Sequence, residues 1–232
     1  MDILSFKKYD RPVPRYTSYP TVPFWKEGLD VPEWKTDVRQ RSAESNMTGG
    51  ISLYVHLPFC ETLCLYCGCN KRITTNHNVE EEYIQAVLQE WALYRSLLPP
   101  EPVIRELHLG GGTPTFFSAK NLNRLISGLL QGTIVHPDHG FSVEGHPANT
   151  TPEHLKVLYE LGFRRISYGV QDLNEEVQRA IGRKQTYQSL RRATEAARAA
   201  GFTSVNFDLI YGLPHQTPER LQYTILVSAG LR

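Results

Sequence analysis

A chain of 232 residues is long enough to bury one large hydrophobic core or two small ones. Its composition, 41% hydrophobic and 21% charged, is that of an ordinary globular protein. A net charge of +1 removes any electrostatic case for DNA, RNA or a membrane surface as the main partner, and no apolar run approaches the roughly 20 residues of a membrane helix.

Residues 1–50 differ from the rest. The stretch RPVPRYTSYPTVPFW is rich in Pro, Tyr and Arg, and Pro12, Pro14, Pro20, Pro23 and Pro32 speak against a long early helix. This segment reads as an extended N-terminal arm. It lacks the long apolar run of a secretory signal.

From residue 51 to 232 short apolar runs alternate with helical patterns. Strands are predicted at 51–59, 104–110, 141–145, 165–170 and 204–212. Helices are predicted at 80–98, 119–130, 152–161, 186–200 and beyond Thr217-Pro218. The first carries Tyr83, Val87, Trp91, Tyr94 and Leu98 at three-to-four spacing; the third opens at Thr151-Pro152 and stops at Gly162. LGFRRISYGV and AGFTSVNFDL share one plan 39 residues apart, about one βα unit. Strand–helix alternation implies parallel strands and right-handed crossovers. The expected fold class is α/β, an open, partial parallel β/α barrel of about five strands, because a closed barrel takes roughly 250 residues. The chain stops at ILVSAGLR, in a helix and without a closing strand, so it reads as C-terminally short.

In such folds the chemistry gathers at the C-terminal ends of the strands. There stand the cysteine loop, GGGTPT (110–115), EGHP (144–147), GVQD (169–172) and DLIYGLP (208–214). Cys60, Cys64, Cys67 and Cys69 are the only cysteines in the chain. Thiols so close together close only tiny loops, which argues against structural disulfides and for a reduced, cytoplasmic protein. Three readings compete. Ordinary buried thiols do not explain the clustering. Structural zinc wants four ligands, and Cys69 or His56 could be the fourth, but no second knuckle exists. The spacing C-x3-C-x2-C favours an iron–sulfur cluster, with one iron left open for a substrate or cofactor, unless Cys69 closes the site.

With an aromatic, Tyr66, before the last of these cysteines, the motif resembles that of the radical S-adenosylmethionine superfamily. Together with PRYTSYPT, SLYVHLPFC, CGCNK, LHLGGGTPT, GVQD and DLIYGLP it is similar to the oxygen-independent coproporphyrinogen III oxidase family, from about residue 11 to about residue 222. The resemblance implies a [4Fe-4S] cluster on Cys60, Cys64 and Cys67, with Cys69 not a ligand, and two molecules of S-adenosyl-L-methionine. It makes Tyr54 a cofactor contact and the candidate catalytic side chain. Tyr66, Gly111, Gly112, Thr113, Glu144, Gln171, Arg183 and Asp208 become cofactor contacts, with Tyr66, Gln171, Arg183 and Asp208 beside the second molecule. The family pattern often reads Glu-Val-Asp-Pro where this chain has Glu144-Gly145-His146-Pro147, which leaves the contacts beside Glu144 open. Asp172 reads as a helix cap before Asn174. Arg15, Tyr16 and Tyr19 of the arm are candidate partners for substrate propionates.

The implied reaction is oxidative decarboxylation of two propionates of coproporphyrinogen III to vinyl groups by 5′-deoxyadenosyl radical chemistry, in anaerobic haem biosynthesis. An electron donor of flavodoxin or ferredoxin type and a monomeric state are expected, with no nucleic acid or membrane partner. The alternatives are a haem chaperone or haem-modifying methyltransferase on the same scaffold, or an inactive truncated iron–sulfur protein.

Overall fold

The computed structural model describes residues 30–231, together with 8, 21–25 and 28; the expectations for Arg15, Tyr16 and Tyr19 lie outside the described residues. The chain divides into two compact units, Met1–Asp37 and Val38–Arg232, a boundary that falls within helix α1 (Val31–Thr48). In the first unit the described residues form a 3-10 turn, Val22–Phe24, and the start of α1.

Helix α1 corrects the expectation of an extended arm through residue 50. Pro32 sits in its first turn, where a missing N–H costs nothing. Asp30 Oδ1 accepts from Glu33 N at 3.2 Å and caps that turn. Only Ser42 of α1 is buried, so no apolar stripe advertised the helix.

The second unit is built on a five-stranded parallel sheet, and the expectation of an open α/β sheet of five strands is met. Its strands are β1 (Ile51–Leu57), β4 (Val103–Gly111), β5 (Ile134–Gly145), β6 (Phe163–Gln171) and β7 (Ser204–Leu209), in that spatial order. Two short strands, β2 (Phe59–Cys60) and β3 (Arg72–Ile73), pair in parallel beside it. The helices are α2 (Val79–Arg95), α3 (Ala119–Leu130), α4 (Pro152–Glu160), α5 (Glu175–Ala180), α6 (Tyr187–Ala199) and α7 (Pro218–Ala229). Sequential strand order with right-handed crossovers winds the helices onto one face, as in a barrel, where a doubly wound sheet would split them between two.

The strand sequences record this one-sidedness. Leu53, Val55 and Leu57 of β1 alternate with Ser52, Tyr54 and His56. Leu107, Leu109, Phe141, Val143, Ile166 and Tyr168 bury against Leu122, Leu125, Ile126, Leu155, Leu158 and Leu190 of α3, α4 and α6. Each such side chain contributes roughly 1.5–3 kcal/mol on leaving water. The opposite face is a polar row. In register across it stand Tyr54 and His108, His108 and Ser142, Glu144 and Ser167, Gly169 and Asp208.

Three boundaries differ from expectation for identifiable reasons. Pro58 cannot donate to a ladder, so the predicted 51–59 strand breaks into β1 and β2. Strand β5 begins at Ile134, seven residues early: pairing jumps from Val135 to Gly140 on β4, and the looped-out His-Pro-Asp-His hides the alternation. Asn174, rather than Asp172, caps α5, its Oδ1 accepting from Glu176 N and Val177 N. Asp172 lies one step back, fully buried, accepting from Asn174 N at 2.7 Å, Gln216 Nε2 at 2.6 Å and Thr224 Oγ1 at 3.1 Å.

Candidate functional site

The cysteine loop is pinned at its base. Arg72 N donates to Pro58 O at 2.8 Å and Thr74 N to Cys60 O at 2.9 Å, so β2 and β3 clamp both ends. Inside the loop Cys67 N donates to Cys64 O at 3.0 Å, and Lys71 Nζ donates to Cys67 O at 2.8 Å and Cys69 O at 3.3 Å. Leu65 N donates to Ile181 O at 3.0 Å and ties the loop to the end of α5. Gly182 follows at φ +71°; a Cβ there would stand 2.9 Å from Leu63 O, so the approach depends on glycine.

All four cysteines are free thiols. Cys60, Cys64 and Cys67 line a cavity of about 430 Å³ at the C-terminal edge of the sheet. Tyr66, Gly111, Gly112, Thr113, Glu144, Gln171, Arg183 and Asp208 line the same cavity. The three expected cluster ligands and every expected cofactor contact except Tyr54 are therefore brought to one place. A larger cavity, about 530 Å³, lies between β1 and α2, and Tyr54 lines that one. The expected residues gather in the smaller cavity: the larger holds none of the thiols and none of the other expected contacts.

Tyr54 nevertheless borders the site from β1. Its ring stacks on His108, centroids 5.8 Å apart, and its hydroxyl donates to His56 Nδ1 at 3.0 Å. His56 Nε2 in turn donates to Asn70 O at 2.8 Å, so both ring nitrogens are engaged within the protein and the fourth-ligand reading of His56 finds no support. Burial and then the Glu144 carboxylate raise the Tyr54 hydroxyl above its ordinary pKa, which keeps it a donor.

Glu144 is held by His108, to which no sequence pattern pointed, and by the backbone of Gly111. His108 Nε2 donates to its Oε1 at 3.4 Å while His108 Nδ1 accepts from Ser142 Oγ at 2.8 Å. Gly111 N donates to Glu144 Oε2 at 3.3 Å. The next amides are also committed, Gly112 N to Leu57 O at 2.9 Å and Thr113 N to Phe59 O at 3.0 Å. The glycines thus weld β4 to β1 and β2, and Thr113 Oγ1 lies 3.3 Å from Cys60 Sγ. Asp208, with Glu144 nearby, is raised by burial first and by that neighbouring charge second.

A second group forms around Gly169. The Gln171 side chain folds back so closely that a Cβ on Gly169 would meet its Nε2 at 2.7 Å. Gln171 itself is buried at φ +64°, a left-handed conformation unusual for a residue with a side chain. Arg183 Nη2 donates to Gly169 O at 2.6 Å, and Asp208 stands opposite Gly169 in the ladder. Gln185 braces Arg183 through its Oε1 at 3.0 Å and anchors itself on Val170 O. His146, from the same cavity wall, accepts from Ala148 N at 3.2 Å through Nδ1. Burial and then the Arg183 charge push it down to about 4, so it is neutral at physiological pH.

The donor set suits a thiolate-held cluster. Burial raises the Cys60 thiol, with Cys64 and Cys67 close enough to add to the rise and Lys71 and Thr113 opposing it. Cys69 is raised by burial and by the facing Cys67 sulfur, which favours its thiol form. No three described His, Cys, Asp or Glu side chains converge as a single-ion site does. A cube, in which each cysteine takes its own iron, asks for no such convergence.

These features define a class, and the chain belongs to the radical S-adenosylmethionine superfamily: the Radical SAM superfamily profile matches residues 54–226. Its relatives include the oxygen-independent coproporphyrinogen III oxidase of Pseudomonas aeruginosa, 40% identical over 94% of this chain and 47% of that protein. The enzyme of the same name from Escherichia coli is 38% identical over 97% of this chain and 48% of the relative. The solved coproporphyrinogen III oxidase of Escherichia coli, described as a radical SAM enzyme, superposes with a TM-score of 0.85 at 37% identity, over 99% of this chain and 50% of that one. A radical S-adenosylmethionine methyltransferase from Kitasatospora setae, 15% identical with a TM-score of 0.54 over 78% of this chain and 33% of that one, shares the fold alone. The chain spans about half the length of the curated relatives it matches. Superfamily membership implies a [4Fe-4S] cluster and S-adenosylmethionine as cofactors.

Proposed function

We propose that this chain carries the cluster and cofactor site of an oxygen-independent coproporphyrinogen III oxidase. The reaction is oxidative decarboxylation of two propionates of coproporphyrinogen III to vinyl groups. Each propionate loses a hydrogen atom from its β-carbon, carbon dioxide and one electron, the electron passing to an acceptor. The observation that carries this reading is the convergence of Cys60, Cys64 and Cys67 with Gly111–Thr113, Glu144, Gln171, Arg183 and Asp208 on one cavity. The similarity to enzymes of that name at 34–40% identity supports the substrate.

Cys60, Cys64 and Cys67 hold the [4Fe-4S] cluster in this reading, and Cys69 does not. A cluster bound there would supply, when reduced, the electron for reductive cleavage of the S-adenosylmethionine sulfonium and so the 5′-deoxyadenosyl radical chemistry. The protein's share is binding and orientation. Glu144, positioned by His108 and the Gly111 amide, offers a carboxylate to an ammonium or ribose hydroxyl. Gly111 and Gly112 leave no side chain in the way. Tyr54 closes this side through its stack on His108. Tyr66, Gln171, Arg183 and Asp208 form a second subsite for another molecule of S-adenosylmethionine, supported by the grouping of Gln171, Arg183 and Asp208 around Gly169 and by the Arg183–Tyr66 hydrogen bond.

We further assign a flavodoxin- or ferredoxin-type electron donor, a monomeric state and a cytoplasmic setting, the last because four clustered free thiols suit a reducing compartment. No helix among the described residues is long and apolar enough to cross a membrane. The test is anaerobic reconstitution with iron and sulfide, reduction, and assay for 5′-deoxyadenosine from S-adenosylmethionine. The expected result is cleavage by the native protein and none by Cys64→Ala. A fully iron-loaded native protein that yields no 5′-deoxyadenosine refutes the radical reading; cleavage with no conversion of coproporphyrinogen III refutes the substrate.

A further inference from the structure

Arg183 is 8% exposed, and it makes no ion pair with any described carboxylate. A guanidinium is permanently charged, and burying it without a countercharge is costly. Its hydrogen bonds show where the countercharge lies. Nη2 is occupied by Gly169 O and Gln185 Oε1, which fix the plane of the group. Nη1 points into the cysteine loop, 3.4 Å from Cys64 Sγ and 3.3 Å from the Tyr66 hydroxyl oxygen. Nε is buried and finds no hydrogen-bond partner among the described residues. Tyr66 accepts from Nη1 through its hydroxyl oxygen and so helps to hold the guanidinium beside the same sulfur. One ligand sulfur therefore faces an N–H from a buried cation that a neighbouring hydroxyl helps to hold in place. Cys60, by comparison, has a neutral hydroxyl, Thr113, for its neighbour.

We propose that Arg183, held in place by Tyr66, sets the reduction potential of the cluster by donating to the Cys64 sulfur. Arg183 is in this sense a positioning and tuning residue that acts through Cys64. The inference rests on the reading of Cys60, Cys64 and Cys67 as cluster ligands, and it adds to Arg183 a task distinct from contacting S-adenosylmethionine. Reduction places one more negative charge on the cluster. A fixed positive charge and a hydrogen bond at one sulfur stabilise the reduced form more than the oxidised form and raise the potential. The low dielectric of a buried site enlarges the effect.

The experiment is a redox titration of the anaerobically reconstituted full chain with dithionite, without S-adenosylmethionine, following the reduced cluster by electron paramagnetic resonance. Arg183→Gln is expected to lower the equilibrium constant for reduction about tenfold, which for one electron is about 59 mV. Arg183→Lys, which keeps the charge and loses the planar fork, is expected to fall between the two. Because Arg183 also braces Gly169 and Gln185, Tyr66→Phe is measured alongside; it leaves those contacts intact, removes the hydroxyl that holds Nη1 at the sulfur, and is expected to shift the potential in the same direction by a smaller factor. An unchanged midpoint in Tyr66→Phe, or in an iron-replete Arg183→Gln, overturns the proposal. A native protein that takes up no cluster, or a Cys64→Ala variant whose cluster is indistinguishable from the native one, would instead overturn the ligand assignment beneath it.

Discussion

Gly112 leaves no room for a side chain: a Cβ there would stand 2.6 Å from Pro58 O and 2.9 Å from Phe59 O, both backbone atoms. The clash lies on the segment that leads directly into Cys60. Gly112→Ala should therefore destabilise the protein by about 1–3 kcal/mol, the usual cost of overpacking, and lower the iron content of reconstituted protein. Thermal unfolding and iron analysis check both; a variant with native stability and full iron would show that the β4 turn can yield. Two more side chains at this scale explain how the site is held. His108 was not singled out from the sequence, although its alternation with Gly110 on a predicted strand places it on the polar face. Lys71 grips two carbonyls of the cysteine loop, and it too stands within a quoted motif, CGCNK, without its role being legible. Neither type of residue announces a contact until the partner atoms are known.

At the scale of elements, Asp172 joins three of them. It follows β6 directly, holds the amide of the Asn174 cap of α5 and accepts from Thr224 of α7, while Gln216 reaches it from the loop after β7. The residue is fully buried, so Asp172→Ala leaves buried donors unpaired and should cost at least about 3 kcal/mol. Because β6 ends at Gln171, the same change should loosen the strained backbone there. Chemical denaturation measures the first effect, and a loss below 1 kcal/mol would mean that the donors find other partners. The helices whose apolar residues recur at helical spacing, α2, α3, α4 and α6, stand within a few residues of their predicted limits. Helix α1 does not advertise itself in this way, since Val31, Trp34 and Val38 at its start are followed by no further apolar residue at that spacing; its signal is the Asp30-to-Glu33 cap within a proline-rich context. The early start of β5 was hidden because its first residues pair through a bulge.

For the molecule as a whole, the second unit has an apolar side and a polar side. Helices α3, α4 and α6 cover the first, and the row from Tyr54 to Asp208 occupies the second. Among the described residues β1 and β7 have a neighbour on one side only. Their amides should exchange with solvent deuterium faster than those of β4, β5 and β6, whose side chains fill the core. Hydrogen exchange resolved by strand tests this; uniform protection across all five strands would contradict it.

By itself the sequence determined the α/β alternation, the strand ends as the place for chemistry and the three-cysteine spacing, because apolar periodicity, glycine turns and ligand spacing act over a few neighbouring residues. Only the tertiary structure decided that Gln171, Arg183 and Asp208 surround Gly169, that Tyr54 borders the cavity without lining it, and that a buried guanidinium faces the Cys64 sulfur. Those relations join residues as far as 119 positions apart. They depend on strand register and on where each loop returns, which no local pattern encodes.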